Sequence, residues 1–282
     1  FFPTVIPESN LRKESSHVKG FTPEVFWVTQ GGNDVFEERL ALRPTSETAF
    51  YQMFSLWIRS YKDLPFKTYQ RANVFRYETK ATRPFLRSRE FHWIETHCAH
   101  LTEKDAMLQV EEDMQTTREL LYEQLGLPFI FFQRPAWDKF HGAHRTFAAD
   151  VLHPDGRVVQ QPSTHLLQQS FSKVFNVMYK DKDGKDKYVW ITCYGPAVSR
   201  IFASMVIVHG DDKGLRFPWA FAPLQTVIVP IGNEKSVLKR ADSLAERIAS
   251  HASVLVDKSD KSSGEKFNHW EMKGVPLRID LG

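Results

Sequence analysis

The chain has 282 residues, 42% hydrophobic and 25% charged, with a formal net charge of +3. That is ordinary for a soluble globular protein of one large domain or two smaller ones, and mildly basic, which is consistent with a polyanionic partner but too weak to establish one. Two cysteines, Cys98 and Cys193, exclude a disulfide framework or a four-cysteine zinc site built within the chain and fit a reducing compartment, so cytoplasm is the expected location. No long uncharged apolar run offers a membrane span.

The chain opens Phe1-Phe2-Pro3 without a signal-peptide pattern, so the expectation is that the numbering begins inside a longer protein. Residues 45–62 read as a helix: Phe50, Met53, Phe54, Trp57, Ile58 and Tyr61 recur at three- and four-residue intervals, and Pro65 blocks continuation. Two antiparallel strands are expected at about 67–78 and 85–97. On the second, Phe91, Trp93, Glu95 and His97 alternate onto one face. A glutamate and a histidine on an aromatic stripe fit a polar ligand held against the sheet, because unpaired buried charge is costly. They also fit a face that emerges into solvent, and spacing does not choose between the two.

A second helix is expected over 102–125, where Thr102 and Asp105 resemble a capping box and Gly126 follows the end. The alternating charges of Lys180 to Lys187 around Gly184 read as a solvated hairpin tip. From Leu224 the pattern becomes strand (224–231), helix (234–250), strand (254–257), helix (264–273) and strand (277–279), which is a parallel α/β unit that stops early. The predicted boundary lies near residue 220. Lys235, Lys239, Arg240 and Arg247 sit among acids on the 234–250 helix and read as its solvated face.

Arg76 and Glu78 stand two apart, so on a strand they project to one side. A guanidinium grips phosphate oxygens with paired donors, a carboxylate accepts from an amino group, and Phe91 on the neighbouring strand offers a ring for a base. Alone, an Arg-x-Glu pair is no evidence of a site. His92, His97, Cys98 and His100 match no zinc spacing, since neighbours on a strand face opposite sides, and no protein-bound metal is expected. Cys193 reads as packed rather than reactive.

The surrounding strings carry more. Leu42-Arg43-Pro44-Thr45-Ser46-Glu47-Thr48, Thr82-Arg83-Pro84-Phe85-Leu86-Arg87-Ser88-Arg89-Glu90-Phe91-His92-Trp93 and Glu95-Thr96-His97 occur in that order. They are followed by Trp137-Asp138-Lys139-Phe140, Gln160 to Lys173, Cys193-Tyr194-Gly195, Arg200 and His209 to Leu215. Ala222-Pro223-Leu224-Gln225 and Lys273 to Leu277 complete the series. Together they resemble the class II aminoacyl-tRNA synthetases, specifically the prolyl-tRNA synthetases of archaeal and eukaryotic type, over essentially the whole chain.

The resemblance implies an α+β fold: the class II antiparallel sheet flanked by helices over 1–219, N-terminally truncated, followed by a partial α/β anticodon-binding domain over 220–282. It implies that ATP and Mg2+ are used to activate proline, with tRNA(Pro) as acceptor and a homodimeric assembly. Arg76 and Arg200 would be the catalytic arginines, gripping phosphates from two sides. Glu78, Arg87, Phe91, Gln160 and Ser163 would join them around ATP. Thr45, Glu47, Arg76, Trp93, Glu95, His97 and His165 would hold proline, with Glu47 taking the imino group. Gln161-Pro162 and Gln168 stand where the family carries glycines, and Ser199 precedes Arg200 where a serine or threonine is usual one residue earlier. A synthetase-like tRNA-binding or regulatory protein without catalysis is the rival reading. Loss of Arg76, Glu78 or Arg200 would favour it, and all three are present.

Overall fold

Near the start, β1 (Val5–Pro7) runs into a single helical turn, α1 (Glu8–Leu11), and then β2 (Phe26–Gly31) and β3 (Asp34–Leu42) form a hairpin. β3 lies between the other two, antiparallel to both, with Val5 opposite Leu42. The computed structural model describes residues 2–13 and 24–282. The chain divides into two compact units. One comprises Phe1–Glu119, Phe129–Leu152 and Val158–Ala203, the other Leu120–Pro128, His153–Arg157 and Ser204–Gly282.

In the first unit α2 (Glu47–Trp57) follows Pro44 and buries Glu47, Phe50, Tyr51 and Phe54. It stops earlier than its apolar spacing predicts. Ile58 turns extended, and Asp63 Oδ2 captures the backbone N–H groups of Arg59 and Ser60 at 2.9 and 2.8 Å, redirecting the chain into a 3-10 turn at Tyr61–Asp63. Next come β4 (Phe66–Phe75), β5 (Glu90–His100) and α3 (Glu103–Arg118). Thr102 caps α3 by accepting from the Asp105 amide at 3.1 Å, as the sequence predicts, but the α-helix ends at Arg118 and a π-turn covers 119–124.

The remaining strands of this unit are β6 (Ile130–Gln133), β7 (Arg145–Leu152), β8 (Val158–Gln168), the hairpin β9 (Met178–Lys180) and β10 (Asp186–Tyr188), and β11 (Trp190–Gly195); α4 (Ser170–Val174) follows β8. Six strands form one antiparallel sheet in the order β4-β5-β11-β8-β7-β6. Period-two alternation gives the sheet two faces. Odd-numbered His97 stacks on Phe50 of α2, with ring centroids 4.1 Å apart. Even-numbered Thr164 donates to Asp113 of α3 at 2.7 Å, and Tyr194 meets Thr117 at 2.9 Å. Helices therefore cover both faces. The larger core cluster, with Phe50, Tyr51, Phe54, Phe171 and Ile191, lies on the α2 side.

Two expectations about this sheet need correction. β4 ends at Phe75 and β5 begins at Glu90, so Arg76 and Glu78 lie just past the strand rather than on it. One further bond, Arg76 N–H to Arg89 C=O at 2.8 Å, extends the pairing before Tyr77 N–H turns to Glu24 C=O at 2.8 Å. Second, residues 161–168, whose Gln161-Pro162 and Gln168 stand where the family carries glycines, form strand, buried through Leu167. Only Gln168, at φ 53°, takes a left-handed conformation that glycine would adopt without strain, and it sits where β11 shifts register.

α5 (Val198–His209) begins in the first unit. The second unit holds β12 (Thr226–Pro230), α6 (Lys235–Ile248), β13 (Val254–Val256), α7 (Ser263–Met272) and β14 (Leu277–Leu281). β12 is central and parallel to both neighbours, which is the α/β unit expected from the alternation. α6 buries Val237 and Ala241 and leaves Lys235, Lys239, Arg240 and Arg247 exposed. Gly214 and Gly274 allow 210–215 to lie on the end of α7: a Cβ on Gly214 would fall 2.3 Å from Met272 Cα, and one on Gly274 2.7 Å from Leu215 Cβ.

Candidate active site

A cavity of about 190 Å³ opens on the α2 face of the six-stranded sheet. Glu47 reaches it from the first turn of α2, and Phe91, Trp93, Glu95 and His97 from alternate positions of β5. Ser163 and His165 enter from β8, with Gln160 near its start, while Arg76 and Arg200 flank the opening. A smaller pocket shares Arg76, Phe91 and Arg200 and adds Glu78 and Arg87. All predicted site residues but Thr45 therefore line one of two adjoining hollows. Thr45 is buried behind Glu47 and donates its hydroxyl to that carboxylate.

The solvent-facing alternative for Glu95 and His97 is excluded, since they are 2% and 0% exposed. Burial works against the Glu95 charge, but hydrogen bonds from His97, Ser46 and Gln70 outweigh it and hold the carboxyl below its usual range. His97 faces Glu95 Oε2 through Nε2 at 3.2 Å and the Tyr51 hydroxyl through Nδ1 at 2.9 Å. His165 bridges Thr146 and Ser163 at 3.0 and 3.1 Å; burial, helped by His97, pushes its pKa down to about 3 and keeps the ring neutral. Glu47 accepts from Thr45 on Oε2 and from the Cys193 thiol, 3.7 Å away, on Oε1. Trp93 packs over Gly195, where a Cβ would come within 3.3 Å of the indole.

The cationic wall differs in kind. Arg76 is half-buried, donates to Pro44 C=O at 3.1 Å and stands 5.4 Å from the Phe91 ring and 5.8 Å from that of Trp93. Desolvation lowers its pKa, against the pull of Glu24, Glu47, Glu78 and Glu95. Arg200 is fixed by bonds of 3.1 Å to Leu86 C=O and to Gln160 C=O. Burial first, then repulsion from Arg76 and Arg87, brings it down to about 10, so it remains a cation at neutral pH. Arg87 pairs with Glu78 at 2.8 Å. Three guanidiniums around two adjoining hollows, with Arg200 repelled by the other two, suit a ligand with several negative oxygens.

Several contributors were not singled out from sequence. Tyr51 and Gln70 belong to the hydrogen-bonded wall behind the cavity; Tyr51 lies four residues after Glu47, on the same helix face, which is the signal that marks it. Asp138, Lys139 and Phe140 line the cavity, and the Phe140 ring lies 4.6 Å from that of His165. Cys193 is buried as expected, yet it also lines the cavity, and burial with the nearby carboxylates pushes its thiol well above the ordinary value. Cys98 faces α3 instead, its thiol raised to about 12 by burial and by Asp113, and His100 meets Thr192 at 3.3 Å. Among the described residues, the donors that converge are those of Glu47, His97 and Cys193, within 4.8 Å of one another, and each is already engaged in a hydrogen bond.

Residues 26–209 match the tRNA synthetase class II core domain (G, H, P, S and T), and residues 225–282 match an anticodon binding domain. The chain belongs to the class II tRNA synthetases. Within the family it is similar to the proline--tRNA ligases of Thermofilum pendens and Methanopyrus kandleri, at 54% and 50% identity over the whole chain and 59% of each relative's length. It is also similar to a solved Giardia lamblia prolyl-tRNA synthetase in complex with prolyl-adenylate, with a TM-score of 0.97 and 44% identity over the whole chain and 58% of that structure's chain. The chain thus spans somewhat over half the length of the relatives it matches.

Proposed function

We propose that this chain carries the amino-acid-activating centre of a prolyl-tRNA synthetase. The observation that carries the reading is that Arg76 and Arg200 line both of two adjoining hollows, one of which holds the buried carboxylate of Glu47 and the other Arg87. That pairing suits a polyphosphate held next to a small cationic amine. The likeness to proline--tRNA ligases and to a synthetase holding prolyl-adenylate supports it.

A proline carboxylate oxygen attacks the α-phosphorus of ATP, the bond to the bridging oxygen of the β-phosphate breaks, and pyrophosphate leaves. The protein aligns two anions and neutralises charge as it develops. Arg76 spans the carboxylate and α-phosphate, Arg200 holds the opposite side, and Arg87 takes the outer phosphates. Phe91 stacks on adenine, Glu78 accepts from its amino group, and Gln160 and Ser163 contact the adenylate. Glu47, set by Thr45, accepts the secondary ammonium. Trp93, Glu95, His97 and His165 wall the ring. A terminal ribose hydroxyl of tRNA(Pro) then attacks the acyl carbon and AMP departs.

Magnesium would be held chiefly by phosphate oxygens and water, because the hard donors on these walls, Glu78 Oε2 and Gln160 Oε1, already accept from Arg87 and Arg134. When bound, it supplies charge neutralisation on the phosphates. We assign 1–219 to activation and 220–282 to the tRNA anticodon, in a cytoplasmic homodimer. No helix of the described residues is long and apolar enough to cross a membrane. Proline-dependent exchange of labelled pyrophosphate into ATP tests the reading. Exchange with proline supports it, and its absence in the full-length protein with ATP and magnesium present contradicts it.

A further inference from the structure

His97 is clamped from three directions. Phe50 stacks on one face of its ring at 4.1 Å and 27°, Tyr51 meets Nδ1 at 2.9 Å, and Glu95 meets Nε2 at 3.2 Å. Both helix-borne clamps come from α2, which also carries Glu47. Beyond Glu95, Gln70 donates to Oε1 of that carboxylate and, at 2.9 Å, to Ser46 Oγ. The result is a buried series from Tyr51 through His97 and Glu95 to Gln70 and back to Ser46, one residue before α2. Tyr51 is 0% exposed and is not among the residues lining the cavity.

Donor and acceptor chemistry fixes the direction of the series. Burial and the surrounding carboxylates and thiols hold the Tyr51 phenol protonated, so its hydroxyl has a hydrogen to give. An ionised carboxylate only accepts, so His97 Nε2 gives Glu95 a hydrogen, and in the tautomer with its hydrogen there Nδ1 accepts the one from Tyr51. With Gln70 on its other oxygen, Glu95 has a hydrogen bond on each side. Both Glu95 oxygens are thus engaged, as those of Glu47 are by Thr45 and Cys193, and Glu95 differs in resting on the His97 ring that Tyr51 and Phe50 hold.

We propose that Tyr51 is a positioning residue for amino-acid recognition: its hydroxyl sets the tautomer and orientation of His97, and through His97 it keeps Glu95 in place as the wall of the proline pocket. This rests on the proline-activating reading above. Removing the hydroxyl leaves His97 Nδ1 without its partner and the ring able to turn over. Glu95 then loses its fixed partner, and the wall of the proline pocket is no longer held in one geometry.

The test is a double-mutant cycle in the full-length enzyme, read by proline-dependent pyrophosphate exchange. Tyr51→Phe should raise KM for proline about tenfold while KM for ATP and kcat stay within about twofold. In a His97→Leu background, which already lacks the imidazole, adding Tyr51→Phe should leave KM for proline unchanged. It should also raise Tm there, because the hydroxyl has lost its acceptor. Equal losses with proline and ATP, or effects of the two substitutions that multiply independently, overturn the proposal. If Tyr51→Phe alone does not fold, the direction of the Tm change in the His97→Leu background still decides: a fall contradicts the inferred hydrogen bond. Failure of wild-type enzyme to exchange with proline would instead remove the functional reading beneath it.

Discussion

Cys193 directs its thiol at Glu47 Oε1 across 3.7 Å, while Thr45 donates to the other oxygen of the same carboxylate. The two donors come from β11 and from the turn before α2, so the carboxylate is held from both sides before any ligand arrives. Glu47→Gln keeps the shape and removes the charge. The loss of one charge-assisted hydrogen bond, about 1.5–3 kcal/mol, should raise the proline requirement by about 10- to 150-fold with little change in KM for ATP. Steady-state pyrophosphate exchange at varied proline measures this. An unchanged proline dependence removes Glu47 from amino-acid binding.

The Cys193 thiol lines the cavity yet is pushed far above its ordinary pKa by burial and by Glu47 and Glu95. Since the thiolate is the reactive form, alkylation by iodoacetamide at neutral pH should be slow in the folded protein and slower still with proline and ATP present. Mass spectrometry after timed labelling gives the rate. Fast labelling insensitive to substrates would place the sulfur outside the occupied cavity.

Arg76 and Arg200 should fail in different ways. Arg76 lines both hollows, and Arg76→Ala should lower exchange by at least about 10²–10³-fold, the loss typical of one donor that stabilises developing negative charge. Arg200→Gln should act chiefly on ATP, raising its KM more than that of proline. Circular dichroism confirms the fold of both variants; near-normal exchange by Arg76→Ala would contradict its role.

Two buried groups give opposite pH dependences. Asp113, between Thr164 and Gln109 under the sheet, is raised by burial to about 6 from an ordinary 3.8. The folded state holds its proton more tightly, so stability that this group contributes at low pH is lost as pH rises from about 4 to about 6. His165, lowered to about 3 by burial and His97, contributes stability that is present above about 6.5 and lost as pH falls towards 3. Asp113→Asn should therefore stabilise the protein at pH 7.5 by something on the order of 1–3 kcal/mol and leave the acid lability due to His165. Tm measured between pH 4 and 8 checks this; an unaltered profile removes Asp113 as a contributor.

The parts of this site that sequence disclosed are those whose chemistry is periodic. Phe91, Trp93, Glu95 and His97 fall at every second residue of one strand, and β5 delivers all four to the cavity. The α/β alternation after residue 224 is likewise local, and each element lies within a few residues of its expected place. What stayed hidden depends on contacts between distant segments. The end of α2 is set by Asp63 capturing Arg59 and Ser60, not by the apolar stripe that continues through Tyr61. Tyr51 reads as one more core aromatic until β5 places His97 against it. The strings around Gly214 and Gly274 look like site motifs in one dimension, yet their glycines make room for the close approach of 210–215 to the end of α7.

The central claim, that the guanidiniums and the Glu47 carboxylate together admit ATP and a small imino acid, is tested most directly by calorimetric titration of proline into full-length enzyme with and without a non-hydrolysable ATP analogue and magnesium. One proline site per chain is expected, tightened by the nucleotide and abolished by Glu47→Gln. Proline binding that ignores both the nucleotide and Glu47, or no binding at millimolar proline, would contradict it.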